Sequence, residues 1–421
     1  MAYQERARIG FVSTRLAGTD GVSLETAKWV KILTQLGHEC FCFAGESDWP
    51  EDHTYIVPEA HFKHPTIQAI NSDLFDDYRR SSDTSRAIQT LKDHLKEHLH
   101  RFVRTRGLDL LIAENALSLP MNVPLGLALT ELITETDIPA IGHHHDFAWE
   151  RKRYAVSAAG DYLRAAFPPT SHSIHHVVIN SFAARQLALR TGASSMLIPN
   201  VMDFDTPPPA LDAYASQLRP ALGLEADEYL ILQPTRIVPR KRIERAIELV
   251  RRLGVKCTLV ISHASGDEGH AYAEYLRDYA GLMGVPTVFA ADVISYERGQ
   301  TPDGRKVFSL ADVYQQADLV TYPSTVEGFG NAFLETIYYR RPIVISTYEI
   351  FKTDIQPKGF QVIGFEDFIT QDTVQQARRA LSDPDWTAVM VEHNYELGRR
   401  YYSYHVLEKR LVALLSECLG M

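Results

Sequence analysis

The sequence predicts an α/β protein built from two Rossmann-like, doubly wound domains. Three observations carry this. A strand-then-helix alternation runs through the chain twice. Its strands are short continuous apolar runs, as expected of parallel sheets covered on both faces. A proline-dense stretch, MLIPNVMDFDTPPP at 196–209, separates the two series. A length of 421 residues fits two or three domains, and 45% hydrophobic with 23% charged residues is ordinary globular composition.

In the first series RIGFVS (8–13) reads as a strand. A helix over 23–36 follows, with apolar Leu24, Ala27, Val30, Ile32 and Leu33 and with Ser23 as its cap. Gly37 ends that helix and ECFCFAG (39–45) is the next strand. Residues 66–106 are polar and helix-prone, an excursion on this half. DLLIAEN (109–115), IPAIGHHHD (138–146) and HHVVINS (175–181) complete its strands. The second series opens with YLILQPT (229–235) and continues through a helix at 242–253, then CTLVIS, PTVFAA, DLVTYPS and PIVIS. The reading divides the chain into 1–200, 201–395 and a last helical segment 396–421. One final helix is expected from about 389 to 419.

Composition excludes several classes. A net charge of -10 disfavours a nucleic-acid backbone as partner, so any anionic ligand must meet a local basic cluster. Cys40, Cys42, Cys257 and Cys418 are scattered without zinc spacing and read as free thiols. The N-terminal MAYQERARIGFV has no apolar signal core, and no window approaches the roughly 20 apolar residues of a membrane span. These features predict a cytoplasmic protein.

Two stretches carry chemistry. In STVEGFGNAFLE (324–335), Gly328 and Gly330 let the backbone approach a ligand before a helix starting near Asn331. The helix start is an anion site. Glu327 and Glu335 are acceptors suited to sugar and ribose diols. In QPTRIVPRKRIERAIELV (233–250), Arg236 lies just past a strand end and Lys241 at a helix start, where two cations can clamp a diphosphate. A tight turn and a solvated basic run are the plain structural alternatives.

Arg236 with Lys241, then Glu327, seven residues and Glu335, resemble the signature of the family-4 retaining glycosyltransferases. Gly21 and Val22 resemble the family's glycine loop near the phosphates, and IPNVMD (198–203) resembles its linker. The similarity spans nearly the whole chain and implies the GT-B fold, two Rossmann-like domains facing across a cleft. It also implies a nucleotide-sugar donor, a small-molecule acceptor, retention of anomeric configuration and no bound metal or other cofactor. Arg236 and Lys241 would bind the diphosphate, Glu327 the hexose hydroxyls and Glu335 the ribose. The backbone amides of Phe329, Gly330, Asn331 and Ala332 would meet phosphate and sugar. The last segment, 396–421, would pack back on the first domain. His145 would touch the donor sugar near the reacting carbon. No Asp-x-Asp pair stands at a strand end. On this reading Lys241→Ala cuts turnover by orders of magnitude with the fold intact.

Three adjacent histidines, His143, His144 and His145, point alternately on a strand end and so do not share one ion. His172, His175 and His176 are expected at the surface or core edge. FAWERKRY (147–154) puts Trp149, Arg151 and Arg153 just after His145 and Asp146, a basic loop suited to a phosphorylated or carboxylated acceptor. Arg15 in the first loop could also reach it. Among relatives, the chain resembles enzymes making compatible-solute glycosides. ISHASGDEGH (261–270) departs from the family's Gly-x-Gly turn, and a lengthened loop lies between Asp292 and Leu310. The rival readings are a sugar-nucleotide epimerase of the same architecture and a non-catalytic nucleotide-sugar-binding protein. A nicotinamide dehydrogenase needs GxGxxG after the first strand, which STRLAGTDGVS does not supply.

Overall fold

A computed structural model of the chain describes residues 6–265 and 270–420. Two compact units are present, one made of Met1–Asn200 with Tyr404–Met421 and one of Val201–Ser403.

The first unit is built on seven parallel strands: β1 (Arg8–Val12), β2 (Glu39–Ala44), β3 (Thr54–Ile56), β4 (Leu110–Glu114), β5 (Ala140–His144), β6 (Ile174–Val178) and β7 (Met196–Leu197). Their order is β3-β2-β1-β4-β5-β6-β7. The order reverses between β1 and β4, and in such sheets ligands bind outside the carboxyl ends at that point. β4 and β5 are buried at every residue, which explains their unbroken apolar character before the polar ends Glu114 and His143–His144. The polar excursion at 66–106 is two helices, Pro65–Leu74 and Ser82–Arg106, whose Ile88, Leu95, Leu99 and Phe102 enter the core.

The first helix spans Gly21–Gln35, and its cap is Asp20 rather than Ser23. The Asp20 carboxylate accepts from the Val22 and Ser23 N–H groups at 3.1 and 3.2 Å, and the Ser23 hydroxyl donates to it at 2.8 Å. A charged acceptor one residue before the first turn outcompetes the hydroxyl inside it.

The second unit has a six-stranded parallel sheet: β8 (Tyr229–Gln233), β9 (Cys257–Ile261), β10 (Thr287–Phe289), β14 (Leu319–Tyr322), β15 (Ile343–Ser346) and β16 (Ile363–Phe365). The order is β10-β9-β8-β14-β15-β16, with its reversal between β8 and β14. The long loop after β10 folds into a small sheet of β11 (Ile294–Ser295), β12 (Gly299–Gln300) and β13 (Lys306–Ser309). It is tied down by Arg298, which holds Asp212 at 2.7 Å and Asp312, and by the Tyr214 hydroxyl donating to the Gly299 and Val307 carbonyls.

The single C-terminal helix expected from sequence is two helices, Pro384–Tyr402 and Tyr404–Leu419. The break is Ser403, extended at φ −81° and ψ 167°, where Met202 N–H donates to the Tyr402 carbonyl at 2.9 Å. The chain therefore rejoins the first unit at Tyr404, not at 396. No described helix is long and apolar enough to cross a membrane.

Candidate functional site

In the second unit the predicted donor residues gather at the reversal point. Arg236 and Lys241 follow β8, while Glu327 and Gly330 follow β14. The two strand ends are locked together: Thr321 Oγ1 donates to Gln233 Oε1 at 2.7 Å, and the Thr325 N–H donates to the Arg240 carbonyl at 3.0 Å. Lys241, 7% exposed, ends a short turn over Pro239–Lys241 and forms an ion pair with Glu327. Arg240 meets the same carboxylate at 3.2 Å. Burial opposes the charge on Glu327, but Lys241 and Arg240 outweigh it and hold the carboxyl below its usual range. Arg236 is exposed, and its charge is felt at both Lys241 and His263. Two cations thus share one carboxylate, and a third, Arg236, is felt at Lys241, an excess of positive charge suited to a diphosphate.

The conformational demand of the turn falls on Gly330, at φ 113°. It precedes the helix Asn331–Tyr338 and has no side chain to cap it. Around this turn the Tyr348 hydroxyl donates to the Phe329 carbonyl at 2.7 Å, and the Tyr314 hydroxyl donates to Glu335 at 2.8 Å and toward the Ala332 carbonyl at 3.4 Å. Gly328 is exposed beside Glu327. Arg240, Tyr314, Tyr348 and Tyr322, which lies 5.2 Å beneath the Lys241 ammonium, were not singled out by the sequence reading. A search for aromatics spaced around the glycine turn could have flagged the tyrosines.

In the departing loop after β9, Ser262 Oγ and His263 Nδ1 are 2.8 Å apart, and residues 266–269 lie outside the described residues. Burial, then Arg236 and Lys241, push the His263 imidazole down to about 4.

In the first unit His145 lies just past β5, 9% exposed. Its Nε2 is 3.2 Å from Glu114 Oε2, and His143 Nδ1 is 2.9 Å from the same oxygen. Parallel pairing sets Glu114 beside His143, and the two-residue strand period returns His145 to that face. Trp29 stacks on His143 with ring centroids 4.2 Å apart, and His143 lies 4.4 Å from His145. Next to Glu114, Asn115 takes φ 56°, and its Oδ1 accepts from the His145 N–H at 2.8 Å while Nδ2 donates to Asp146 at 3.2 Å. Glu114 thus holds the ring and Asn115 the main chain of His145. Neither was singled out from sequence, because each lies about 30 residues from the histidine it holds.

Donor-type atoms of Glu114, His143 and His145 lie within 4.8 Å of one another, close enough for a cation. A metal-bound histidine normally passes its second N–H to an acceptor. His143 Nε2 is buried with no partner among the described residues, so these side chains fit a hydrogen-bonded triad.

The alternation that puts His143 and His145 together sends His144 to the opposite face. There its Nε2 meets His176 Nδ1 at 2.9 Å. His176 is 5% exposed, buried rather than at the surface or core edge as the sequence suggested. Gly142 makes room, since a Cβ there would lie 2.8 Å from the His144 ring. Burial holds His176 down to about 4 against an ordinary 6.5, so the fold keeps it neutral while an unfolded chain takes a proton below 6.5. The contribution is therefore intact above 6.5 and is lost as pH falls toward 4. Between pH 7 and pH 4.5 wild-type protein should lose roughly 2–3 kcal/mol more unfolding free energy than His176→Gln. Urea unfolding at both pH values reads this, and equal losses would refute it.

The acceptor-side residues are largely engaged with one another. Arg151 pairs with Asp146, Arg15 pairs with Asp20 at 2.9 Å, and Arg153 lies over the Tyr154 ring at 4.6 Å. Trp149 stacks on Phe147 at 4.4 Å, with Arg190 over it at 5.2 Å. Of the loop's cations, Arg151 is matched by an acid, while Lys152 and Arg153 are exposed. Gly21 and Val22 lie inside the first turn of their helix, with the Val22 N–H given to Asp20 instead of facing outward as a phosphate loop.

No family model matches the chain. Mannosylglucosylglycerate synthase from Thermotoga maritima is 32% identical over 95% of this chain and 98% of its own. The Petrotoga mobilis protein of the same name is 32% identical over 84% and 86%. Among solved structures, Anabaena HepE in complex with UDP and glucose aligns with a TM-score of 0.67 at 14% identity, over 98% of this chain and 100% of that one. With these full-length similarities and the paired parallel sheets, the chain belongs to the GT-B glycosyltransferase family that includes the mannosylglucosylglycerate synthases.

Proposed function

We propose that this enzyme transfers a hexose, with retention and without a metal, from a nucleoside diphosphate sugar to glucosylglycerate or a similar carboxylated acceptor. The observation that carries the donor assignment is the pairing of Arg240 and Lys241 with Glu327, past the carboxyl ends of β8 and β14, with the Arg236 charge felt at Lys241 and the helix start at Asn331 following. The acceptor assignment follows the relatives' names, which favour a mannosyl donor such as GDP-mannose over UDP-glucose.

The bond from the anomeric carbon to the diphosphate breaks, and the leaving oxygen's charge is taken by Arg236, Lys241 and the helix N-terminus. The acceptor hydroxyl oxygen bonds to the same face of the sugar, and its proton passes to the departing phosphate oxygen. No protein nucleophile is required. Glu327 and Glu335 accept from sugar and ribose hydroxyls, and His145 is assigned to the sugar near its reacting carbon.

The protein incubated with GDP-mannose or UDP-glucose should release nucleoside diphosphate only when glucosylglycerate or a related acceptor is present. Release should be unchanged by EDTA, and the product should keep the donor's α-configuration by NMR. Acceptor-independent release, inversion, or abolition by EDTA would each remove the corresponding part of the reading.

A further inference from the structure

The Glu114 carboxylate is buried to 1% exposure, and none of the assigned chemistry uses it. A charged group so placed must be matched by partners to persist. Its partners are two imidazoles of one strand end, at 2.9 and 3.2 Å. It sits where β1 and β4 diverge, with the Ser13 hydroxyl donating to its main-chain carbonyl at 3.1 Å, the position at which such sheets present groups to ligands.

We propose that Glu114 is a positioning residue for the transfer: its carboxylate accepts a hydrogen bond from the Nε2–H of His145 and fixes that ring, leaving Nδ1 as the polar atom the imidazole offers the donor sugar. This rests on the role given to His145 above. A carboxylate only accepts, so both rings must present N–H to it. His143 is the spacer, stacked on Trp29 and tilted against His145, and its own N–H to Glu114 fixes the carboxylate plane. The arrangement is that of a base oriented by a third group, here with one acid serving two rings.

The charges around His145 agree with this. Burial opposes its protonation, but Glu114, with Glu25 of the first helix and Asp146 beyond it, outweighs burial and raises its pKa. His143 and His144 precede it at the strand end, and both are held down by burial. Burial would raise Glu114, yet His143 and His145 hold it down to about 2. The carboxylate therefore stays charged across the working pH range.

Glu114→Gln is the decisive variant, because an amide oxygen can satisfy only one ring and its NH₂ opposes the other. The expected result is a kcat loss on the order of 100-fold with donor KM little changed, and a His145 titration midpoint lowered by about one pH unit. In a His145→Ala background the same substitution should cost no further kcat; a further loss of similar size would show that Glu114 acts elsewhere and overturn the proposal. Should the variant fold poorly, ¹⁵N-labelled wild-type protein suffices. His145 should carry hydrogen on Nε2, and an Nε2 without hydrogen, or one occupied by a stoichiometric metal ion, would overturn it. If His145→Ala transfers at the wild-type rate, the sugar-contact role fails on kcat alone, whereas failure of the Glu114 assignment is read from the His145 resonances.

Discussion

Replacing Lys241 by methionine should lower turnover by about 100–1000-fold, the effect expected when one charge-stabilising group is removed from a leaving-group site. The variant should also be destabilised while keeping the fold. Lys241 is buried against Glu327, and removing one member of a buried pair costs about 3–5 kcal/mol because the other charge is left uncompensated. Arg240, 3.2 Å from the same carboxylate, should keep the loss near the lower end. The two effects separate in the double variant Lys241→Met/Glu327→Gln. With the carboxylate neutralised, most of the stability should return, while turnover stays low because the cation and the sugar-binding carboxylate are both missing. Denaturation curves and nucleoside diphosphate release on both variants decide this. Turnover within about fivefold of wild type in Lys241→Met would be too small for the loss of a charge-stabilising group and would end the clamp assignment.

Gly330→Ala should be nearly as damaging, through the backbone. At φ 113° only glycine is at ease, and the added Cβ would lie 2.6 Å from the Tyr348 hydroxyl and 3.2 Å from that of Tyr322. Both tyrosines are almost wholly buried, so neither can swing into solvent. The Tyr348 hydrogen bond to the Phe329 carbonyl would break, and the helix start at Asn331 would shift. Backbone strain plus an unsatisfied buried group amounts to about 2–5 kcal/mol. Affinity for nucleoside diphosphate should fall with it, since the N–H groups facing the anion are displaced. Thermal melts with and without GDP measure both, and an alanine variant that melts and binds as wild type would show that the turn does not need glycine.

The residues on which the donor reading rests could be picked out in the sequence because their signal is local. Strand, cation-bearing turn and helix at 229–250, and strand, glycine turn and helix at 318–335, each complete a ligand-facing segment within one stretch of chain. The histidine half was legible only at His145. Glu114 reads as the end of a strand, and its meaning comes from the register that sets it beside His143. In the acceptor loop the sequence did not show the pairing: Arg151 and Asp146 occur close together in sequence, and they form an ion pair in the fold.

By itself the sequence determined two parallel-sheet units, their linker and the donor motif, since strand apolarity, turn chemistry and motif spacing are properties of neighbouring residues. Only the tertiary structure decided which charges remain available to a ligand and which are spent internally. It buried Lys241 against Glu327, closed Asp20 over the first helix, hid His176 and bound two imidazoles to Glu114. Each of these depends on which groups lose water together, and that is set by the packing of segments distant in the chain.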